Sequence, residues 1–183
     1  MFTVNKHLPA ARGLAPVLIQ RAATVTLDWD TRSKSRFDAH DSAGRHLAVF
    51  LPRGTVLRGG DMLVAEDGAM IRVQAAPQPV LQVRVCAAHG TATDLLRAAY
   101  HLGNRHVPLE VQAECLQFEP DPVLAEMLRR MHLIVTEVQA AFEPEAGAYG
   151  EGGGHGHHGH DHGHTHDHAH GHDYHSHDHV HGH

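Results

Sequence analysis

Val80-Leu81-Gln82-Val83-Arg84-Val85-Cys86 and then Thr93-Asp94-Leu95-Leu96-Arg97-Ala98-Ala99-Tyr100-His101-Leu102-Gly103 are where the chain changes its period. The first run alternates and reads as a half-buried strand. In the second, Leu95, Ala99 and Leu102 share one face of a helix, with Thr93 as N-cap, Asp94 in the first turn and Gly103 just past the end. Strand-like Val107–Val111 and Ala113–Phe118 follow. A helix over Val123–Met131, approached by Pro120 and Pro122, and a last strand over Leu133–Phe142 complete the pattern. The order β-α-β-β-α-β is the ferredoxin-like arrangement.

Upstream, short β-rich runs (Thr24–Trp29, Leu47–Leu51, Met62–Ala65, Met70–Gln74) alternate with turn chemistry at Asp41-Ser42-Ala43-Gly44, Pro52-Arg53-Gly54, Arg58-Gly59-Gly60-Asp61 and Glu66-Asp67-Gly68. That spacing predicts a small barrel or two packed sheets. Ala75-Ala76-Pro77-Gln78-Pro79 has two prolines in three residues and reads as a short, stiff connection. The expected organisation is α+β: a β-rich domain over 1–76, a linker at 77–79, a ferredoxin-like domain over 80–144 and a disordered tail over 145–183. Within the first domain, Arg32, Lys34 and Arg36 alternate, so an extended backbone would place all three on one face. A solvated strand face is the plain reading; a protein-docking patch is the sharper one.

The tail is the chemical singularity. Fifteen of the 29 residues from 155 to 183 are histidine. They are His155, His157, His158, His160, His162, His164, His166, His168, His170, His172, His175, His177, His179, His181 and His183. The spacers are mostly Gly and Asp, so little apolar surface is available to offset the ordering entropy, and the segment is expected to lack structure without a ligand. Neutral imidazole is the commonest protein ligand for Ni, Cu and Zn. At two to four imidazoles per ion the tail would hold roughly four to seven ions. Protons compete for the same nitrogens below about pH 6, so capacity should fall there. The Ala/Gly stretch over 146–154 reads as its tether.

Composition excludes several classes. The formal net charge is -6 with histidine neutral and the body has no long basic run, which argues against nucleic acid. Cys86 and Cys115 lack C-x-x-C spacing and read as buried thiols of a reduced protein. The run Leu14–Ile19 is short and holds Pro16, a poor secretory core, and no stretch is long enough to span a membrane. A cytoplasmic location is expected. No nucleophile–base pair, phosphate loop or paired carboxylates stand out, so no catalytic residue is assigned.

Seven histidines lie in the body: His7, His40, His46, His89, His101, His106 and His132. None pairs at HxH or HxxxH spacing, so each reads first as an ordinary histidine. His106 differs in context, just past a helix end in a turn expected to be set by Gly103 and Asn104. One imidazole holds metal weakly; a two-fold axis beside it would supply a second.

The chain resembles the UreE-type urease accessory proteins, a nickel metallochaperone family. The likeness rests on Lys34-Ser35-Arg36, Phe50-Leu51-Pro52-Arg53-Gly54-Thr55, Gly60-Asp61 and Ala65-Glu66-Asp67-Gly68 in the first domain. In the second it rests on Tyr100-His101-Leu102-Gly103-Asn104-Arg105-His106-Val107-Pro108-Leu109, with Gly-Asn-Arg-His the most specific element. The resemblance implies a homodimer formed through the second domain and His106 from each subunit sharing one Ni(II). It also implies handover to a urease accessory GTPase of the UreG type and the urease apoprotein, with the first domain binding partners. Some family members carry a histidine pair where this chain has Pro120-Asp121-Pro122, so an accessory site built on that pair is expected to be absent. His101 matches a family histidine that binds metal peripherally. His155 and His157 are the first candidates to complete the His106 site.

The leading expectation is a non-enzymatic carrier of Ni(II), for which Zn(II) or Cu(II) compete. The alternative is a general nickel or zinc store whose body merely carries the tail. A metalloenzyme would need a defined site with an open position, and a tail is a poor scaffold for one.

Overall fold

Six strands make the first sheet: β1 (Phe2–Leu8), β2 (Ala23–Leu27), β3 (Arg36–His40), β4 (His46–Phe50), β5 (Met62–Ala65) and β6 (Met70–Ala75). The structure, a computed structural model, describes residues 1–146. The tail histidines and most of the tether therefore lie outside the described residues. The strand order is β2-β6-β5-β1-β4-β3, with β1–β4 and β2–β6 parallel and the other pairs antiparallel. Asp41 builds the β3–β4 turn. Its Oδ1 accepts from the backbone N–H groups of Ala43 and Arg45, and its Oδ2 from the Arg45 guanidinium.

The sheet curls until its two edges meet. Ser42, in the turn beyond β3, donates its N–H to the Thr24 carbonyl of β2 at 2.7 Å. Thr24 N–H donates back to Ser42 Oγ at 2.9 Å. The expected barrel or pair of sheets is thus one six-stranded sheet bent most of the way to closure. Val4, Val25, Leu47, Leu57, Leu63, Ile71 and Val73 fill its concave face and are almost fully buried. At ~1.5–3 kcal/mol for each large aliphatic side chain removed from water, this is the main force holding the curl.

Two of the six strands lie outside the runs expected from sequence. In β1 the pairing with β5 shifts between Val4 and Lys6, a bulge that breaks the alternation. In β3 every second residue is exposed, and the strand takes its place from pairing with β4.

The second sheet holds β7 (Pro77–Arg84), β8 (Glu110–Val111), β9 (Leu116–Phe118) and β10 (Ile134–Ala141), antiparallel in the order β10-β7-β9-β8. Its long helices are α3 (Ala92–Gly103) and α4 (Pro122–Arg130). (Two short helices in the first part, Pro16–Arg21 and Trp29–Arg32, are α1 and α2.) Leu81 and Val83 of β7, with Leu116 and Phe118 of β9, pack against Ala98, Leu102, Leu124, Ala125 and Leu128 of the helices. Strand pairing over β8 and β9 is shorter than the sequence suggests.

Residues 77–79, expected as a linker, are the opening of β7, where Pro77 faces Ala141 and Pro79 faces Gln139. The prolines are tolerated because β9 pairs only with Leu81–Val83, leaving that flank of β7 without a neighbour needing their missing N–H. Residues 1–146 accordingly lie in a single compact unit.

Arg32, Lys34 and Arg36 do not share an extended face. Asp28 caps α2 by accepting from Thr31 N–H at 2.9 Å, so Arg32 closes a helical turn rather than standing on a strand. Its side chain is 0% exposed. It donates from Nε to the Leu27 carbonyl, from Nη1 to the Leu57 carbonyl and Glu143 Oε1, and from Nη2 to the Phe142 carbonyl. Trp29 meets Phe142 edge-on at 6.0 Å between ring centroids, with the guanidiniums of Arg32 and Arg58 over its ring. Arg32 therefore ties the first sheet to the chain leaving β10, and takes no part in an exposed patch.

Candidate metal-binding turn

The site candidate grows from the two ends of α3. At its start the capping residue is Thr91, two positions before the Thr93 expected. Thr91 and Asp94 form a capping box, in which the Asp94 carboxylate accepts from Thr91 N–H at 2.9 Å. Those bonds, with the Arg97 guanidinium nearby, hold the Asp94 carboxyl below the usual carboxylate range.

At the other end the helix unwinds through a run of short bonds. Asn104 N–H donates to the Tyr100 carbonyl, Arg105 N–H to Leu102, and His106 N–H to Gly103 at 2.9 Å. The residue that turns left-handed is His106 itself, at φ +56°. Gly103 stays helical as the last residue of α3, and Asn104 is right-handed, so neither sets the turn as expected. A left-handed non-glycine residue costs about 1 kcal/mol, a strain kept where the surroundings over-determine it. Here Val107 N–H reaches back to the Leu102 carbonyl and Leu102 is anchored in the core. The imidazole is exposed, with no hydrogen-bond partner among the described residues.

Beside this turn the surface is apolar. Leu96 and Tyr100 of α3 are 69% and 66% exposed, one helical turn apart, and Gly103 continues their stripe towards the turn. The sequence points to the Leu95, Ala99 and Leu102 face, which is the one turned inward; the same helix carries a second apolar stripe outward. The signal was the near-continuous Leu95-Leu96 and Ala98-Ala99-Tyr100 run.

His101 lies apart from a ligand set. It lines a groove of about 740 Å³ between α3 and α4 with Arg105, Pro122, Val123, Glu126, Met127 and arginine and methionine side chains further along α4. Its ring sits edge-on to Tyr100 at 5.5 Å. Asp121 is committed to capping α4, accepting from Val123 and Leu124 N–H. Among the described residues no three His, Cys, Asp or Glu side chains are gathered for a metal ion. Cys115 is buried and Cys86 half-buried, both free and each just outside a strand.

The last described residues are tied to the segment that follows this turn. Glu143 N–H donates to Glu110 Oε2 at 2.7 Å, and Glu145 N–H donates to the Leu109 carbonyl at 2.8 Å. Glu145 is thus anchored at Leu109, three positions after His106 in the sequence. Elsewhere, Lys34 and Arg36 line a shallow groove with Ser33, Ser35 and Arg53, the last a cation that sequence reading placed only in a turn. No helix among the described residues is long and apolar enough to cross a membrane.

Residues 4–76 match the model of the UreE urease accessory protein N-terminal domain, and residues 78–170 match that of its C-terminal domain. A urease accessory protein UreE from Methylibium petroleiphilum is 72% identical over 151 residues, covering 82% of this chain and 70% of the relative. One from Paracidovorax citrulli is 69% identical over 152 residues, covering 83% and 72%. One from a Polaromonas species, strain JS666, is 66% identical over 152 residues, covering 83% and 69%.

Proposed function

The chain belongs to the UreE family of urease accessory proteins, and from that premise we propose that it is a non-enzymatic nickel carrier in urease maturation. It captures Ni(II), holds it between two copies of itself and yields it to the urease apoprotein with an accessory GTPase of the UreG type. The observation that carries this reading is His106, strained into a left-handed turn, without a hydrogen-bond partner among the described residues, at the end of an exposed apolar stripe. Covering Leu96 and Tyr100 with the same stripe of a second copy is an isologous contact, and it brings two His106 rings together. The second part of the chain is then a ferredoxin-like dimerisation domain, consistent with its β-α-β-β-α-β order and β10-β7-β9-β8 sheet.

Two imidazoles leave Ni(II) positions open. His155 lies nine positions after Ala146, about 30 Å of fully extended chain, so His155 and His157 have the length to supply further ligands. The other tail histidines, His158 to His183, act as a capture reservoir. Ligands that exchange one at a time suit transfer, and Zn(II) or Cu(II) compete because the affinity order does not favour nickel over copper. Lys34 and Arg36, joined by Arg53, form the partner-docking patch of the first domain. The setting is the cytoplasm, where nucleic acid and membrane play no part.

Calorimetric nickel titration of the full chain, of a chain ending at Gly154 and of His106→Ala tests the two tiers. Ending the chain at Gly154 should remove most bound ions yet keep the ion shared between two chains, and His106→Ala should remove that one. Unchanged nickel sites in His106→Ala would leave only the general store.

A further inference from the structure

The geometry points to a second metal site, on the outer face of the first sheet, made by His40 and His46. Its origin is the turn between β3 and β4. Asp41 N–H donates to the Arg45 carbonyl at 3.1 Å, and the Asp41 carboxylate accepts from Ala43 and Arg45 N–H. Those bonds fix the register in which His40 faces His46. Because Asp41 and Arg45 are the hydrogen-bonded pair, the next pair outward is the closely spaced kind, with Cα atoms ~4.5 Å apart and side chains drawn together.

The two rings lie 5.1 Å apart between centroids, tilted by 40°. Imidazoles bound side by side to one ion, each nitrogen ~2.1 Å from it, have centroids about 4.5–5.3 Å apart for angles of ~90° to ~110°. The pair is therefore spaced as cis ligands already are. Asp38, two residues before His40 on the same face, sits 3.1 Å from His46 Nε2. A carboxylate beside Nε2 favours the tautomer that carries its proton there and leaves the Nδ1 lone pair for a metal, as carboxylates do beside metal-bound histidine.

The ligand class is a nitrogen-preferring divalent first-row ion: Ni(II), Cu(II) or Zn(II). Two protein ligands on an exposed face, with water in the remaining positions, give a site that loads and unloads easily. It needs neither the tail, nor His106, nor a second copy of the chain.

Nickel(II) chloride titrated into the full-length, isotope-labelled protein, followed by amide NMR, tests it. Paramagnetic Ni(II) should attenuate the Ala39–Leu47 signals in the wild type, and these should stay sharp in the His40→Gln/His46→Gln double variant. Equilibrium dialysis at saturating nickel should show one ion fewer per chain in that variant. Both rings are on the surface, and unchanged amide signals in β5 and β6 report that the variant is folded. His106→Ala should leave the hairpin attenuation in place, so this site and the shared one fail separately. Hairpin signals that respond equally in the wild type and the double variant, or equal ion counts, would overturn the site.

Discussion

Arg32 sits at the join of the two sheets with four donated hydrogen bonds and no exposure, while His106 stands on a turn, exposed, with neither ring nitrogen engaged by a described residue. Both are basic side chains beside a short helical end. The difference is what their valences are used for. Arg32 satisfies carbonyls from three separate segments, Leu27, Leu57 and Phe142, and so spends its chemistry on holding the molecule together. His106 is fixed by its backbone alone, and its ring is left for something not in the chain's own core.

Replacing the two residues should therefore produce opposite losses. Arg32→Met takes the donor from the Leu57 and Phe142 carbonyls and removes one partner from Glu143, which keeps Arg58 and the Gly59 N–H. At ~1–3 kcal/mol for each buried acceptor left unpaired, with the lost packing added, it should cost about 3–5 kcal/mol. At ~2–4 °C per kcal/mol for a domain of this size, melting should fall by roughly 6–20 °C in a calorimetric scan. A fall under about 2 °C would mean that the join tolerates its loss and that Arg32 is not the tie described.

Asp61 offers an intermediate case. It is 3% exposed, and its carboxylate accepts from Ala10 and Arg58 N–H and lies 2.7 Å from His7 Nε2. Burial opposes its charge, but the His7 contact and the two backbone donors outweigh that and hold its carboxyl below the ordinary value near 3.8. A depressed folded-state value stabilises above the unfolded pKa and is lost as pH falls through the folded one. Asp61→Asn should cost about 1–3 kcal/mol at neutral pH, with a shallower loss of stability in the acid range than the wild type, read by denaturant melts across pH.

Smaller effects belong to α3. Asp94→Ala removes one half of the capping box and should cost about 1 kcal/mol, with nickel binding unchanged. His106→Gly relieves the left-handed residue and should leave stability equal or up to about 1 kcal/mol higher, while the shared nickel ion is lost. A variant that gains stability and loses metal separates the structural role of this turn from its chemical one; a marked loss of stability would merge them.

Much of this was readable from residues. The strands β4, β5 and β6 and both long helices follow from period and turn chemistry, because their apolar faces are continuous. The strand β3 was not, because its Arg36, Asp38 and His40 are solvent-facing and only pairing with β4 makes it a strand. Arg32 misled because alternation predicts a face only if the backbone is extended, and Asp28 caps a helical turn there instead. Pro77 and Pro79 suggest a linker until the free flank of β7 is known. The neighbours Gly103 and Asn104 single out His106, yet the left-handed φ falls on the histidine, which no local rule assigns. The His40–His46 pair is six residues apart in sequence and becomes a pair only through register.

The most direct measurement is diffraction at the nickel absorption edge from crystals of the nickel-loaded full-length protein. One anomalous peak on a two-fold axis, ~2.1 Å from an imidazole nitrogen of His106 in each of two copies, is the result expected. A loaded monomer, or a peak coordinated by His106 of one copy alone with the second ring out of reach, would contradict the shared site.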